Sequence, residues 1–122
     1  MRPHCKLEVW NKSMDLVLEV YKITSTFPEN ERFTLVPQMR RASISVASNI
    51  AEGAARGSKR EFSNFLSIAH GSLSELETQI IISYKLKYVH DKDLEKIKED
   101  LEAISKMIVG LKKNLRNECV IY

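Results

Sequence analysis

The chain has 122 residues, of which 43% are hydrophobic and 29% are charged, and its formal net charge is +3 at pH 7. This length suits one domain with one core over residues 1–122, and four glycines and three prolines exclude the collagen-like and disordered classes. No stretch reaches the roughly 20 uncharged apolar residues of a membrane span, and charged residues stand where a signal peptide would be apolar, which predicts a cytoplasmic protein without a membrane partner.

The first predicted helix covers about residues 6–26 and ends before Pro28. Its apolar residues form two neighbouring rows, Leu7, Trp10, Met14, Val17 and Tyr21 in one and Val9, Leu16, Val20, Ile23 and Phe27 in the other. One bundle core does not cover both rows. Either a thick core or a subunit interface accounts for the surplus apolar surface of this helix. We prefer the interface and expect the second row to form it.

The second predicted helix begins near Thr34 to Pro37, with Thr34 as the candidate cap residue, and runs to about residue 55. Its side chains are unusually small, which lets helix axes approach closely. They include Ala42, Ser43, Ser45, Ala47, Ser48, Ala51, Gly53, Ala54 and Ala55. Arg40 falls within the apolar arc, where an unpaired guanidinium is unfavourable. In an antiparallel hairpin Glu77 lies level with Arg40, so we predict a structural ion pair between them, with Glu52 as the alternative carboxylate.

The third helix starts almost immediately after the second, because Gly57 ends one helix and Ser58 with Glu61 forms a capping box for the next. Its apolar stripe runs to about residue 89, and a break at residues 90–93 follows. The fourth helix carries a seven-residue repeat of Leu94, Ile97, Leu101, Ile104, Ile108, Leu111 and Leu115. Four helices with short connections predict an all-α, antiparallel up-down-up-down four-helix bundle.

Residues that could hold a metal or carry catalysis do not converge in the sequence. The histidines are scattered, and the Glu-x-x-His motif of di-metal bundles, Cys-x-x-Cys and a glycine-rich phosphate loop are all missing. His70 and Glu77 share a helix face two turns apart, which is more often a structural arrangement. We expect Cys5 and Cys119 to be free thiols. The sequence therefore predicts no enzyme activity, no cofactor and no metal.

The positive charge is distributed unevenly. Residues 35–60 carry five basic residues and one acidic residue, whereas residues 61–80 carry three glutamates and no lysine or arginine. A second basic cluster lies near the end of the fourth helix, which shares one pole of an up-down bundle with the end of the second. Solvated helix surface is the alternative to a phosphate-binding pole, and base stacking is not indicated. The predicted nucleic-acid contacts are Arg41, Arg56, Lys59, Arg60, Lys112, Lys113 and Arg116.

One block of sequence carries a family resemblance: residues 38–53 read QMRRASISVASNIAEG, and Phe27-Pro28 precedes them. Further matching residues are Trp10, Glu31, Leu35, Phe62, Phe65, Leu66, Ala69, residues 71–73 and residues 75–77. Over nearly its whole length the chain resembles bacterial four-helix-bundle proteins encoded in intervening sequences of 23S rRNA genes. That family includes the accessory variability determinant of diversity-generating retroelements.

The resemblance implies a homo-oligomer, namely a homopentameric barrel of four-helix subunits. In the retroelement branch it also implies nucleic-acid binding through a basic surface, with a reverse transcriptase as partner. With the charge pattern, it predicts a non-enzymatic scaffold that binds structured RNA, DNA or a ribonucleoprotein through phosphate contacts. The alternative is a protein-protein adaptor with no nucleic-acid role.

Overall fold

Four long helices make up the described part of the chain. In this computed structural model the backbone is described for residues 2–120, and side chains are described for residues 2–4 and 7–116. The elements are α1 (Glu8–Thr24), α2 (Leu35–Ala55), α3 (Lys59–Lys85) and α4 (Asp91–Val120), with short 3₁₀ helices at Pro3–Lys6 and Glu29–Glu31. The described residues contain no strand, and the predicted all-α four-helix bundle is confirmed. Cys5 and Cys119 lie outside the residues whose side chains are described.

The helices form a closed cycle, because α1 and α3 each pack against both α2 and α4. Their connections are short, so successive helices run antiparallel. One end of the bundle therefore holds the starts of α1 and α3, the turn between α2 and α3, and the end of α4. We call it the Gly57 end. The opposite end holds the connections from α1 to α2 and from α3 to α4.

Residues with left-handed backbone follow both α2 and α3. Gly57 adopts a φ of +83°, a conformation open to glycine and rare for other residues, and α2 ends as predicted. The Glu61 amide then donates to Ser58 Oγ at 3.1 Å, which caps α3. The Glu61 carboxylate accepts a hydrogen bond from the same hydroxyl at 3.2 Å. In a full capping box this carboxylate would instead accept from the backbone amide of Ser58. α3 ends before the predicted residue 89, because Lys87 adopts a φ of 70°.

Two tyrosine hydroxyls hold the opposite end together. Tyr88 donates to Glu31 at 2.9 Å, and Tyr84 donates to Asp91 at 2.6 Å. The Thr34 hydroxyl, predicted to cap α2, instead donates to Glu31 at 2.6 Å. The bonds from Thr34 and Tyr88 lower the pKa of Glu31, because they stabilise its carboxylate form. The connection between α1 and α2 is thereby tied to the end of α3.

The apolar row of α1 that was predicted to form an oligomer interface lies in the core of the single chain. The row comprises Val9, Leu16, Val20 and Ile23, which are buried, and Phe27, which packs against the same core. The prediction that these residues join subunits is therefore wrong. Met14 and Tyr21, from the other row, are exposed.

Contacts on both flanks of α1 explain which row faces inward. Glu19 approaches Lys96 of α4 at 3.9 Å, and the Tyr21 ring lies against Arg40 of α2. The second row lies between those two flanks, so it points into the bundle. Sequence periodicity shows that two rows exist, but the neighbouring helices determine how α1 is rotated about its axis.

Two polar residues share the buried face of α1. The hydroxyls of Ser13 and Thr24 donate to the backbone carbonyls of Val9 at 2.7 Å and Val20 at 2.8 Å. Because each hydroxyl bonds a carbonyl of its own helix, neither is left unsatisfied in the core. Polar residues on this face are therefore compatible with its burial.

The contact between α2 and α3 is the most extensive in the bundle. At Gly53 an added Cβ would lie 2.7 Å from Cβ of Phe65 and 3.0 Å from Cδ1 of Phe62. Further along the contact, the hydroxyls of Ser45 and Ser72 share a hydrogen bond of 2.8 Å. The small side chains of α2 thus allow the close approach that the sequence predicts.

Gly53→Ala is expected to lower the free energy of unfolding by about 1–3 kcal/mol, because the clash is with the base of a side chain that cannot swing away. Gly110→Ala is the matched control, since that helical glycine has open space around its Cβ position. There alanine should stabilise the fold by up to about 1 kcal/mol. Urea unfolding followed by circular dichroism measures both changes. Equal stabilisation in the two variants would contradict the close packing of α2 on α3.

Candidate nucleic-acid interface

Basic side chains from two helices line one pocket at the Gly57 end. Lys59 and Arg60 come from the first turn of α3, and Arg116 comes from near the end of α4. The pocket has a volume of about 300 Å³. The remaining lining residues are Ser63, Asn64 and Leu115. The structure thus brings together basic residues that are more than 50 positions apart in the sequence.

Lys112 and Lys113 extend the basic surface along α4. They lie about one turn before Arg116, and helical spacing places all three on the same side of α4. Lys113 and Arg116 are exposed, whereas Lys112 is partly buried. Among the described side chains, neither Arg60 nor Arg116 forms an ion pair with a carboxylate. Their charge is therefore available to an anionic ligand.

Three residues of the pocket were not among the predicted contacts. Ser63 and Asn64 follow Lys59 and Arg60 by four residues, so each pair shares one side of α3. That spacing is visible in the sequence and could have identified both. Leu115 could not be found in this way, because its place in the seven-residue repeat indicates a core position.

Arg56, another predicted phosphate contact, is already paired within the chain. Its guanidinium donates to Glu52 at 2.8 Å and to Glu61 at 3.5 Å, and it lies 4.9 Å from the centre of the Phe65 ring. The hydrogen bond that Arg56 donates to Glu52 is the largest cause of the raised pKa of Arg56. Because two carboxylates compensate its charge, Arg56 adds little to the positive potential at this end.

Arg41 lies far from the other predicted contacts. It precedes Arg56 by 15 residues on α2, a rise of about 22 Å along the helix axis. It lines an open groove of about 530 Å³ between α2 and α3. In the same groove Gln79 is 8% exposed, and its Oε1 is buried without a hydrogen-bond partner among the described residues. The structure therefore does not unite Arg41 with the basic residues of the Gly57 end.

A histidine and a serine meet between α3 and α4. His70 Nε2 lies 3.0 Å from Ser105 Oγ. The cavity beside them, which Glu77 and Glu102 also line, has a volume of about 70 Å³, well below the roughly 300–1,000 Å³ of small-molecule sites. Within the described residues, no histidine, cysteine and carboxylate groups are arranged to hold a metal ion. None of the described helices is long and apolar enough to cross a lipid bilayer.

Comparison with known proteins identifies the family of the chain. The family model for the 23S rRNA-intervening sequence protein matches residues 5–110. The chain belongs to this family. The fold is shared by a protein with unknown function from the S23 ribosomal protein family of Bacteroides thetaiotaomicron VPI-5482, whose crystal structure is known. The two structures have a TM-score of 0.79 and 24% sequence identity, and the match covers 86% of this chain and 95% of that chain. No match was found among curated proteins.

Arg40 does not pair with Glu77 in the structure of this family member. Arg40 Nε donates to Thr24 Oγ1 at 3.0 Å, and the guanidinium lies 4.4 Å from the centre of the Tyr21 ring. Glu77 is exposed on the side of α3 that faces α4, and Glu52, the alternative carboxylate, is bound elsewhere. The predicted ion pair is wrong because Arg40 crosses to α1, where a hydroxyl and a ring replace the carboxylate. Arg40 is also partly buried rather than fully enclosed.

Arg40→Ala should lower the free energy of unfolding by about 1–2 kcal/mol, through loss of the hydrogen bond and the ring contact. In a double-mutant cycle, Arg40→Ala and Thr24→Val should couple by about 0.5–1 kcal/mol. The control cycle with Glu77→Gln should be additive, because Glu77 does not contact Arg40. Chemical unfolding of the single and double variants supplies the values. A coupling between Arg40 and Glu77 would show that the observed partners of Arg40 are incorrect.

Proposed function

We propose that this protein is a non-enzymatic, homo-oligomeric scaffold that binds structured RNA, alone or in a ribonucleoprotein, through phosphate contacts at the Gly57 end. The observation that carries the proposal is the convergence of Lys59, Arg60 and Arg116 on one pocket.

The basic residues at this end have the chemistry that phosphate recognition needs. Arg60, Lys113 and Arg116 are exposed, and their positive charge is directed to solvent. A guanidinium can donate two parallel hydrogen bonds to one phosphate group. Contacts to the phosphate backbone orient a protein on nucleic acid without reading bases. We therefore expect binding that tolerates changes in nucleotide sequence.

An exposed apolar strip on α1 and α2 supports self-association. Met14, Leu18 and Tyr21 lie on the outer side of α1, and Leu18 is 69% exposed. Arg40 stacks on Tyr21, and Ile44, one turn further along α2, is also exposed. Contiguous exposed apolar residues often mark protein interfaces. This strip, in place of the buried row of α1, would join copies into a closed ring, a pentamer by the family resemblance, and would repeat the Gly57 end in every copy.

Nucleic-acid binding is tested by fluorescence anisotropy with an RNA hairpin and a duplex DNA over a series of salt concentrations. The affinity should fall linearly with salt on logarithmic axes, because bound phosphates release counterions. Arg60→Glu combined with Arg116→Glu should weaken binding by at least about tenfold, since two contacts become repulsive. Arg32→Glu combined with Arg41→Glu is the control, because it changes the net charge equally but lies away from the Gly57 end.

The control pair should lose far less affinity than the pair in the pocket. Absence of binding to either nucleic acid at low salt would exclude the nucleic-acid function, and equal losses for the two pairs would exclude a site at the Gly57 end. In the first case the apolar strip favours the protein-protein adaptor, because that strip does not depend on a nucleic-acid partner.

Self-association is tested by light scattering at micromolar protein concentration. The wild type should have a mass that is a multiple of the 14.0 kDa chain, and five copies are expected. Leu18→Glu should release monomers, because it places a charge within the apolar strip. Val109→Glu is the matched control, since Val109 is an exposed apolar residue of α4 outside the strip. A wild-type mass of one chain would rule out the scaffold.

A further inference from the structure

Arg60 and Arg116 line one open pocket at the Gly57 end, and contacts to a duplex backbone do not require such a pocket. We infer that it binds a nucleoside phosphomonoester, which the proposed RNA partner supplies as the phosphorylated terminal nucleotide of a strand. The inference rests on the proposed function and adds which part of the RNA this pocket holds. A free mononucleotide presents the same chemistry, and the experiment below separates the two sources.

The charges that line the pocket match a dianion. Arg60 and Arg116 form no ion pair among the described side chains, so both guanidinium groups can face one ligand. A phosphomonoester carries a charge of about −1.5 to −2 at pH 7 and offers three acceptor oxygens. An internal phosphodiester carries only about −1. A terminal phosphate therefore neutralises the two guanidinium groups better than an internal phosphodiester does. Each guanidinium can bind the terminal phosphate through a pair of hydrogen bonds.

The pocket also has room for the nucleoside attached to that phosphate. Its volume of about 300 Å³ is at the lower limit of small-molecule sites, roughly 300–1,000 Å³, which suits one nucleotide. Its wall is mainly carbon, with Leu115 on the side of α4, so it can cover a base or a ribose face. Ser63 and Asn64 supply polar atoms on the side of α3. The described residues that line it include no aromatic side chain, so we expect little preference for one base.

The experiment compares one RNA hairpin with a short single-stranded overhang in three forms. The first carries a 5′-phosphate, the second carries a 3′-phosphate, and the third ends in hydroxyl groups at both termini. A fluorophore in the hairpin loop reports binding by anisotropy. At least one phosphorylated form should bind about tenfold more tightly than the hydroxyl form, because it adds charge-assisted hydrogen bonds.

Two charge-removing variants separate the pocket from the general electrostatic attraction of this end. Arg116→Gln should remove most of the preference for the phosphorylated form, because Arg116 lines the pocket. Lys113→Gln removes the same charge from a nearby exposed position of α4 that does not line the pocket. It should weaken binding of all three RNA forms by the same factor and leave their ratio unchanged. Both residues are exposed, so neither change removes a core contact.

Equal affinity for the phosphorylated and hydroxyl forms would overturn the inference and leave the proposed RNA-binding function intact. If no RNA binds, titration of adenosine 5′-monophosphate and of inorganic phosphate, followed by backbone amide NMR shifts, tests the pocket directly. Shifts at Ser63 and Asn64 that appear with the nucleotide and vanish in Arg116→Gln would support a mononucleotide site and overturn the RNA-binding function. Absence of such shifts would overturn both.

Discussion

The close contact between α2 and α3 is the constraint on which the rest of the bundle depends. Phe65 approaches Gly53 so closely that a Cβ there would lie 2.7 Å from Cβ of Phe65. The hydrogen bond between Ser45 and Ser72 lies further along the same contact. Sliding one helix along the other would place a residue with a side chain against Phe65 in place of Gly53, and it would break the serine pair. The register of this helical hairpin is therefore determined by packing as well as by the length of its turn.

That register determines which basic residues come together at the Gly57 end. The short turn after α2 puts Lys59 and Arg60 at the start of α3, and the antiparallel return of α4 brings Arg116 beside them. The contact between His70 and Ser105 at 3.0 Å joins α3 to α4 and helps to define the register of that second helix pair. The pocket thus depends on the registers of two helix pairs, and no continuous motif encodes it.

The rotation of α1 about its axis determines which of its two apolar rows is buried and which is exposed. Its flanks are held by Glu19 against Lys96 of α4 and by Tyr21 and Thr24 against Arg40 of α2. This rotation buries one apolar row and leaves the strip around Tyr21 exposed on the side of the bundle. The basic pocket lies at the Gly57 end, so the proposed self-association and the proposed phosphate contacts use different residues. A ring of subunits could therefore bind RNA without giving up its subunit interface.

The sequence by itself determined the number of helices, the turn between α2 and α3 and the buried repeat of α4, because these depend on residues close together in the chain. Gly57 and Ser58 act within one turn of helix, and the block at residues 38–53 is sufficient to indicate the family. Only the tertiary structure decided which row of α1 is buried, and that Arg40 binds Thr24 and not a carboxylate. Periodicity defines the direction of a side chain relative to its own helix, whereas the rotation of that helix is decided by the side chains packed against it.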